Sequence, residues 1–92
     1  MLPLFEIQSK MDKLRNWALD GDCIVKDKQF NDFKEAMVFV NNVAEIAERH
    51  RHHPTILINY NKVRISLTTH DAKGLTMKDF EVAENIDNIK IK

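Results

Sequence analysis

Residues 32 to 67 read DFKEAMVFVNNVAEIAERHRHHPTILINYNKVRISL, and within them the period of the apolar residues changes once. The first half repeats apolar residues at spacings of three and four, as an amphipathic helix does. The second half alternates apolar and polar residues, as half-buried strands do. Pro54 separates the two halves. The helix must end by about residue 53, because proline excludes the helical conformation from the residue before it.

The predicted helix has a defined start and one continuous apolar face. Asp32 and Glu35 are spaced as in a capping box, in which each side chain satisfies a backbone N–H of the first turn. The apolar positions are Phe33, Ala36, Met37, Val40, Val43, Ala44 and Ala47, widened by Phe39 and Ile46. We expect the core to contain Trp17, Phe30, Phe33 and Phe39, with Cys23 as a small buried hydrophobe.

Shorter patterns predict the remaining elements. The strands after Pro54 carry Ile56, Ile58 and Tyr60, then Val63, Ile65 and Leu67, with a tight turn at Asn61-Lys62 because Asn tolerates positive φ. A first hairpin turns at Asp20-Gly21-Asp22, and a short helix over residues 8–15 is capped by Ser9. A last helix opens with Thr76-x-x-Asp79. Together they predict one α+β domain over residues 1–92, with an antiparallel sheet of about four strands and helices packed on one face.

Composition argues against several classes of function. The 14 basic and 14 acidic side chains cancel, so the basic field that direct nucleic-acid binding requires is missing. The single cysteine rules out an intrachain disulfide and a CxxC motif. The start MLPLFEIQSK does not resemble a signal peptide, and no apolar run approaches the ~20 residues of a membrane span. We therefore expect a cytoplasmic protein without membrane contact, whose thin core favours self-association.

Three of the four histidines crowd the end of the predicted helix. His50 lies on the last turn, where the helix dipole favours a cation, and a solvated helix end explains it. His52 and His53 follow, just before the strand. Counted from the predicted turn at residues 61 and 62, His53 and His70 are each eight positions away. Antiparallel pairing therefore brings these two distant histidine-bearing segments together.

The residues alone leave more than one use for this cluster. Zinc binds histidine and carboxylate ligands, yet the chain has no HxxxH pair on a continuous helix and no HxH pair on a clear strand. Neutral imidazoles also suit general acid–base catalysis, because histidine changes its charge near neutral pH. A metal site, a proton-transfer site and a solvated, positively biased helix end all remain open at this point.

A longer pattern resembles a known family. Glu48-x-x-x-His52-His53-Pro54, followed by Tyr60, His70 and Asp79 at fixed spacing, is similar to the signature of the pterin-4a-carbinolamine dehydratases. Further matching pieces are Trp17, Phe30-x-x-Phe33-x-x-Ala36, Tyr60-Asn61-Lys62-Val63 and Thr69-His70-Asp71-x-x-Gly74-Leu75. Nearly the whole chain is covered, and a pattern of seven fixed residues is far more specific than a lone pair of histidines.

The resemblance implies a hydro-lyase that needs neither a metal nor an organic cofactor. Such enzymes remove water from 4a-hydroxytetrahydropterin, a by-product of aromatic amino-acid hydroxylation, to give quinonoid dihydropterin in tetrahydrobiopterin recycling. By position, His52 and His70 would be the acid–base pair, and His53 would bind and orient the ring with a share in proton transfer. The resemblance assigns pocket-shaping roles to Pro54, Thr69 and Asp71. Supporting roles fall to Asp79, which orients a histidine or only caps a helix, and to Glu48, whose alternative is a solvated helix face.

The resemblance also bears on partners. Family members are homodimers or homotetramers, so we expect a homo-oligomer that binds a pterin substrate. Animal members also act as dimerisation cofactors for a homeodomain transcription factor, and residue spacing does not reveal the surface that this role uses. A partner from an aromatic amino-acid hydroxylase system or a transcription factor is therefore not assigned. The alternatives are a small protein-binding or coregulatory dimerisation module without essential catalysis, and a histidine metalloprotein.

Overall fold

The structure, a computed structural model, describes residues 1–90. In chain order, its helices and strands are α1 (Leu4–Met11), β1 (Ala18–Asp20), β2 (Cys23–Gln29), α2 (Phe33–His50), β3 (Thr55–Asn59), β4 (Lys62–Leu67) and α3 (Met77–Asp87). A single 3-10 turn, His70–Ala72, lies between β4 and α3. None of the helices within residues 1–90 is long and apolar enough to cross a membrane.

The strands form one antiparallel sheet in the order β1-β2-β4-β3. Its inner face is lined by apolar residues of β2 and β4 that pack against the buried sides of α2 and α3, namely Ile24, Val63, Ile65 and Leu67. The half-buried residues Ile7 and Met11 of α1 pack against the same core. The predicted α+β class, the antiparallel four-stranded sheet and the packing of helices on one face are confirmed.

The first helix begins earlier than its predicted start. We expected it over residues 8–15 with Ser9 as the cap, whereas α1 starts at Leu4 with Pro3 at the N-cap position. Proline fixes its own φ and lacks an N–H that would need a partner there, so it suits a helix start. Ser9 therefore lies inside the helix rather than at its end.

The apolar face of α2 is narrower than its sequence suggested. Its buried residues are Ala36, Phe39, Val40, Val43, Ile46 and Ala47. Phe33 is 51% exposed because it is the first helical residue, outside the packed cluster, and Ala44 is exposed as well. Trp17, Phe30 and Phe39 are buried as predicted, whereas Cys23 is only half-buried.

The predicted capping box of α2 forms only in part. The Asp32 carboxylate accepts a hydrogen bond from Glu35 N at 2.8 Å, as expected. The Glu35 carboxylate reaches Asn31 N at 3.0 Å instead of the N–H of Asp32. The acidic pair still satisfies two backbone donors at the helix start, so the helix begins where the sequence predicted.

The turn between β3 and β4 lies one residue earlier than expected. Asn59 pairs with Lys62, so the turn residues are Tyr60 and Asn61, and Tyr60 takes the positive φ of 53°. Asn61 is fixed by Phe30, whose N–H donates to Asn61 O at 2.8 Å and whose carbonyl accepts from Asn61 Nδ2 at 2.9 Å.

The earlier turn shifts the pairing of β3 with β4 by two residues relative to the prediction, but it leaves each side chain on its predicted face of the sheet. Extending the pair Thr55↔Ser66 by two residues sets position 53 opposite 68 rather than 70. Because the offset is even, each side chain keeps its face. The histidine doublet therefore still meets the end of β4.

Candidate active site

The three histidines of the predicted site surround one cavity. Its volume is about 370 Å³, within the range of ligand pockets. The lining residues are Arg51, His52, His53, Thr68, Thr69, His70, Asp71 and Lys78. Pro54, Glu48 and Asp79 do not line the cavity, although each is adjacent in sequence or in contact with a residue that does.

The end of α2 aims the histidine doublet at the sheet edge. Arg51 adopts the left-handed conformation, with φ 52° and ψ 42°. His52 N then donates to Ala47 O at 3.0 Å and Arg51 N to Glu48 O at 3.2 Å, which closes the last helical turn. Pro54 follows and holds the chain extended into β3. This helix-to-strand junction places His52 and His53 in the wall of the cavity.

A buried carboxylate holds the ring of His52. Asp79 is 0% exposed, and its Oδ1 lies 2.5 Å from His52 Nε2. Its Oδ2 accepts hydrogen bonds from Thr69 Oγ1 at 2.8 Å and from Thr76 N at 2.9 Å. Because the Thr69 hydroxyl has only one proton and gives it to Asp79, the Thr76 hydroxyl donates across the 2.8 Å contact to Thr69. Asp79 therefore caps α3 and orients His52 at the same time.

This arrangement determines which nitrogen of His52 is basic. A carboxylate accepts hydrogen bonds, so Nε2 carries the ring proton and Nδ1 holds the free electron pair. Within residues 1–90, no side-chain hydrogen bond engages Nδ1 and no buried side-chain nitrogen or oxygen lacks a partner. His52 is 12% exposed and lines the cavity. The basic nitrogen is therefore open to a ligand bound there.

His53 is held more loosely. Its Nε2 contacts the Glu48 carboxylate, which projects from the last turn of α2. Both side chains are exposed, so solvent weakens the interaction. Glu48 thus contacts a histidine from a solvent-exposed position on α2.

His70 reaches the cavity from a turn rather than from a strand. We expected it at the far end of the second strand, but β4 ends at Leu67 and His70 begins the 3-10 turn. The bridge between Thr69 and Gly74 closes this loop, with N···O distances of 3.2 and 3.3 Å. His70 is exposed and lines the same cavity as the doublet.

Sequence reasoning missed three lining residues, Arg51, Thr68 and Lys78. Arg51 immediately precedes the histidine doublet and Lys78 immediately precedes Asp79, so their proximity to the motif was the available signal. Thr68 likewise immediately precedes Thr69, and its hydroxyl donates to Asp22 O at 2.7 Å.

The cavity is not arranged as a cage of metal ligands. Among the residues that the structure describes, no three His, Cys, Asp or Glu side chains are grouped to hold an ion. Instead, Nε2 of His52 contacts the Asp79 carboxylate and Nε2 of His53 contacts the Glu48 carboxylate. The geometry is that of oriented imidazoles around an open space.

Comparison with known proteins identifies the relatives of this chain. The family model for pterin 4 alpha carbinolamine dehydratase matches residues 2–89. A provisionally named pterin-4-alpha-carbinolamine dehydratase of Trichormus variabilis is 54% identical over 91% of this chain and 90% of its own length. A protein of the same provisional name from Sulfurisphaera tokodaii is 48% identical over the same shares of the two chains.

Two solved structures share the fold. The transcriptional coactivator/pterin dehydratase from Brucella melitensis superposes with a TM-score of 0.88 and 32% identity, over 92% of this chain and 93% of that one. A pterin dehydratase-like protein, identified as a RuBisCO assembly factor in the alpha-carboxysome, gives a TM-score of 0.63 over 80% and 84% of the chains. At 19% identity, the second likeness shows the fold alone. From the family match and the identities of its relatives, the chain belongs to the pterin-4-alpha-carbinolamine dehydratase family.

Proposed function

We propose that this protein dehydrates 4a-hydroxytetrahydropterin to quinonoid dihydropterin by histidine acid–base catalysis. The observation that carries the proposal is the meeting of His52, His53 and His70 around one cavity, with His52 oriented by the buried Asp79. Membership of the family supports the same substrate class.

The reaction requires two proton transfers. The C4a–O bond breaks as a general acid protonates the hydroxyl, which leaves as water. The proton on N5 passes to a base, and its electron pair forms the N5=C4a double bond. Positioned acids and bases contribute about 10²–10⁴-fold to such steps.

The contacts support a division of roles. His52 is the base, because Nδ1 is open to the cavity and Asp79 stabilises the imidazolium that forms. His70, which lines the same cavity from the 3-10 turn and is exposed, is the acid and exchanges its proton with solvent. His53 binds and orients the pterin ring and shares in proton transfer. Thr69 and Asp71 shape the cavity wall, and Pro54 acts through the direction that it gives the chain.

The product suggests where the reaction belongs. A 4a-hydroxytetrahydropterin arises when a tetrahydropterin is spent in an aromatic hydroxylation, and a quinonoid dihydropterin is ready for reduction back to the tetrahydro form. We therefore place the enzyme in tetrahydrobiopterin recycling, in the cytoplasm. We also propose a homodimer or homotetramer, since Leu57, Ile58 and Tyr60 are exposed on or beside the edge strand β3.

The same exposed strand favours a second role, that of a protein-binding module. An extended partner segment can pair with an open sheet edge, and the Brucella relative is named as a coactivator as well as a dehydratase. Under this role, His52→Ala and His70→Ala would abolish dehydration while leaving association intact. Light scattering of the purified variants measures whether association survives.

The decisive assay mixes the protein with freshly generated 4a-hydroxytetrahydropterin and follows the absorbance of the quinonoid product. We expect dehydration well above the buffer rate, with the same rate in the presence of a chelator. Dehydration no faster than in buffer would overturn the proposal. Stoichiometric zinc in the purified protein, together with loss of activity to chelator, would instead establish a histidine metalloenzyme.

A further inference from the structure

We propose that Met1 and Leu2, which precede α1, are positioning residues for His70, because they hold one end of the loop that carries it. This loop comprises residues 69–74, between β4 and α3, and the 3-10 turn that begins at His70 lies within it. The inference rests on the proposed function, to which it adds two residues from outside the cavity wall.

The loop is held at its two ends. Its start is fixed because Thr69 Oγ1 donates to the buried Asp79 carboxylate at 2.8 Å. Its other end is Gly74, which is buried and is followed by the buried Leu75. The two ends pair through the bridge between Thr69 and Gly74, whose N···O distances of 3.2 and 3.3 Å are long for hydrogen bonds. The position of the loop therefore depends on what else holds the Gly74 end.

The middle of the loop bonds to the loop itself. Ala72 N donates to Thr69 O at 3.1 Å and Lys73 N donates to His70 O at 3.0 Å. His70, Asp71 and Lys73 are exposed, so the core does not cover them. Lys73 is left-handed, with φ 55°, which is unfavourable for a residue with a Cβ. This strained turn relies on its two ends to keep His70 in the cavity wall.

Leu2 provides an attachment at the Gly74 end. Its N–H donates to Leu75 O at 2.8 Å, which is shorter than either bond of the bridge. Its side chain packs against the core cluster that contains Leu75. Leu2 is itself anchored, because Ile7 and Met11 of the adjoining helix α1 pack against the same core. The hydrogen bond thus connects the loop to a helix that the core fixes.

Met1 gives a reason for the glycine at position 74. The φ of Gly74 lies outside the left-handed region, so the backbone conformation does not require glycine there. A Cβ added to Gly74 would lie 2.5 Å from Met1 Sδ and 3.0 Å from Met1 Cγ. The absence of a side chain at position 74 therefore makes room for Met1 to lie on this end of the loop.

These contacts lead to both members of the proposed acid–base pair. Gly74 pairs with Thr69, which directly precedes His70 in the chain. Thr69 also donates to Asp79, the carboxylate that contacts His52. A loop whose Gly74 end is released would shift His70 and weaken the support of Asp79. We therefore expect residues 1 and 2 to affect the rate of dehydration without contacting the substrate.

The test compares two substitutions at one position. Leu2→Pro removes the N–H donor and keeps an apolar side chain, whereas Leu2→Ala keeps the donor and shortens the side chain. Phe5→Ala, which removes an exposed side chain of α1, is the control. The first readout is amide hydrogen exchange at Ala72 and Lys73, which reports opening of the loop. The second readout is the single-turnover rate of dehydration.

We expect Leu2→Pro to speed exchange at both loop amides about fivefold and to lower the dehydration rate by a similar factor, as the loss of one hydrogen bond predicts. Leu2→Ala and Phe5→Ala should change both quantities by less than about twofold. Imidazole in the buffer should restore part of the rate of Leu2→Pro, because a free general acid can replace a misplaced His70. A rate loss caused only by unfolding would not respond to imidazole.

Gly74→Ala is a second variant that leaves the Leu2 N–H in place. Its new methyl group displaces Met1 from the loop. The effect on loop exchange and rate should be smaller, about twofold, because Met1 is 77% exposed and can move aside. If Leu2→Pro does not fold, Gly74→Ala decides the question, and unchanged loop exchange in it overturns the proposal.

Two results in a folded Leu2→Pro would overturn the proposal. One is loop exchange equal to that of the original protein, and the other is faster exchange with an unchanged dehydration rate. Failure of the proposed function is a separate result, in which the original protein dehydrates the substrate no faster than buffer. Loop exchange then decides alone: faster exchange in Leu2→Pro than in Leu2→Ala upholds the holding of the loop, and equal exchange ends it.

Discussion

Helix α3 carries a buried carboxylate at each end, and the two differ in what they hold. Asp79 at the start engages His52, Thr69 and Thr76. Asp87 at the end accepts from Lys26 Nζ at 2.9 Å and Trp17 Nε1 at 2.8 Å through Oδ1, and from Arg15 N at 2.9 Å through Oδ2. In both carboxylates, each oxygen accepts at least one hydrogen bond.

The two carboxylates differ in the side chain that they bind, which is Lys26 for Asp87 and His52 for Asp79. Lys26 also donates to Arg15 O at 2.6 Å, and the side chains of Lys26 and Asp87 are only 8% and 4% exposed, so this pair is closed to ligands. The imidazole of His52 has a second nitrogen, which makes no side-chain hydrogen bond within residues 1–90, and the residue itself lines the cavity. The same feature, a fully hydrogen-bonded buried carboxylate, thus secures the fold at one end of α3 and orients the His52 imidazole at the other.

The largest contrast should come from replacing each carboxylate by its amide. We expect Asp79→Asn to lower the dehydration rate by about 10²-fold or more, because His52 loses its fixed orientation. Asp87→Asn should lower the free energy of unfolding by about 3–5 kcal/mol, because it leaves the buried Lys26 without its counter-ion. Single-turnover rates and urea unfolding of the two variants measure the contrast. Equal loss of activity per folded molecule in both would remove the distinction between the two ends.

Two of the histidines at the end of α2, His53 and His50, sharpen the comparison further. His53→Ala should lose most activity, at least about tenfold, because His53 lines the cavity. His50→Ala should stay near the original rate, because His50 does not line the cavity. Steady-state kinetics on both variants tests this, and similar rates would count against the site as assigned.

A smaller effect is expected from the hydroxyl that supports Asp79. Thr69→Val removes the hydrogen bond to Oδ2 and should lower the free energy of unfolding by about 1–3 kcal/mol. The rate should fall by about tenfold, since Asp79 gains freedom to rotate away from His52. Thr55→Val on the exposed edge strand is the control, measured by the same unfolding and rate assays. An unchanged dehydration rate in Thr69→Val would show that Asp79 orients His52 without the hydrogen bond from Thr69.

The smallest effect concerns an ion pair on the outer face of the sheet. Hydrogen bonds from Arg64, at 2.8 and 2.9 Å, hold the pKa of Asp27 below its ordinary value of 3.8. Because the pKa is lower in the folded state, the stabilisation is complete above that ordinary value and is lost as the pH falls below it. Both side chains are exposed, so the contribution is small.

Melting temperatures between about pH 5 and pH 2.5 test this pair. The original protein should lose slightly more stability than Asp27→Asn over that range, and added salt should reduce the difference. An Asp27→Asn variant that loses more stability on acidification would contradict the sign of the shift.

Much of the fold could be predicted from the sequence, because the patterns that set its helices, strands and turns involve neighbouring residues. The period change at Pro54, the cap of Asp32 and the turn at Gly21 each depend on neighbouring residues, and each led to the observed element. The β3–β4 turn depends on Asn61 meeting Phe30, which is far away in sequence, so local rules misplaced it by one residue. Phe33 fits the apolar period of α2 but is exposed, because burial depends on which part of the helix contacts the other elements.

The candidate site likewise has a part that the sequence predicts and a part that depends on contacts between distant residues. Strand pairing anticipated the meeting of the histidines, and the family resemblance pointed to Asp79, whose joint use as cap and partner of His52 appears only in three dimensions. The pairing of Lys26 with Asp87 spans 61 residues and has no local pattern that could predict it. Arg51 and Lys78 look like ordinary surface cations until the fold places them on one cavity.

The orientation of His52 by Asp79 is tested most directly by ¹⁵N NMR of the imidazole ring in the protein near neutral pH. We expect the ring proton on Nε2 and an unprotonated Nδ1, with this single tautomer lost in Asp79→Asn. A His52 ring that carries its proton on Nδ1, or that is indifferent to Asp79→Asn, would contradict the assignment of Nδ1 as the base.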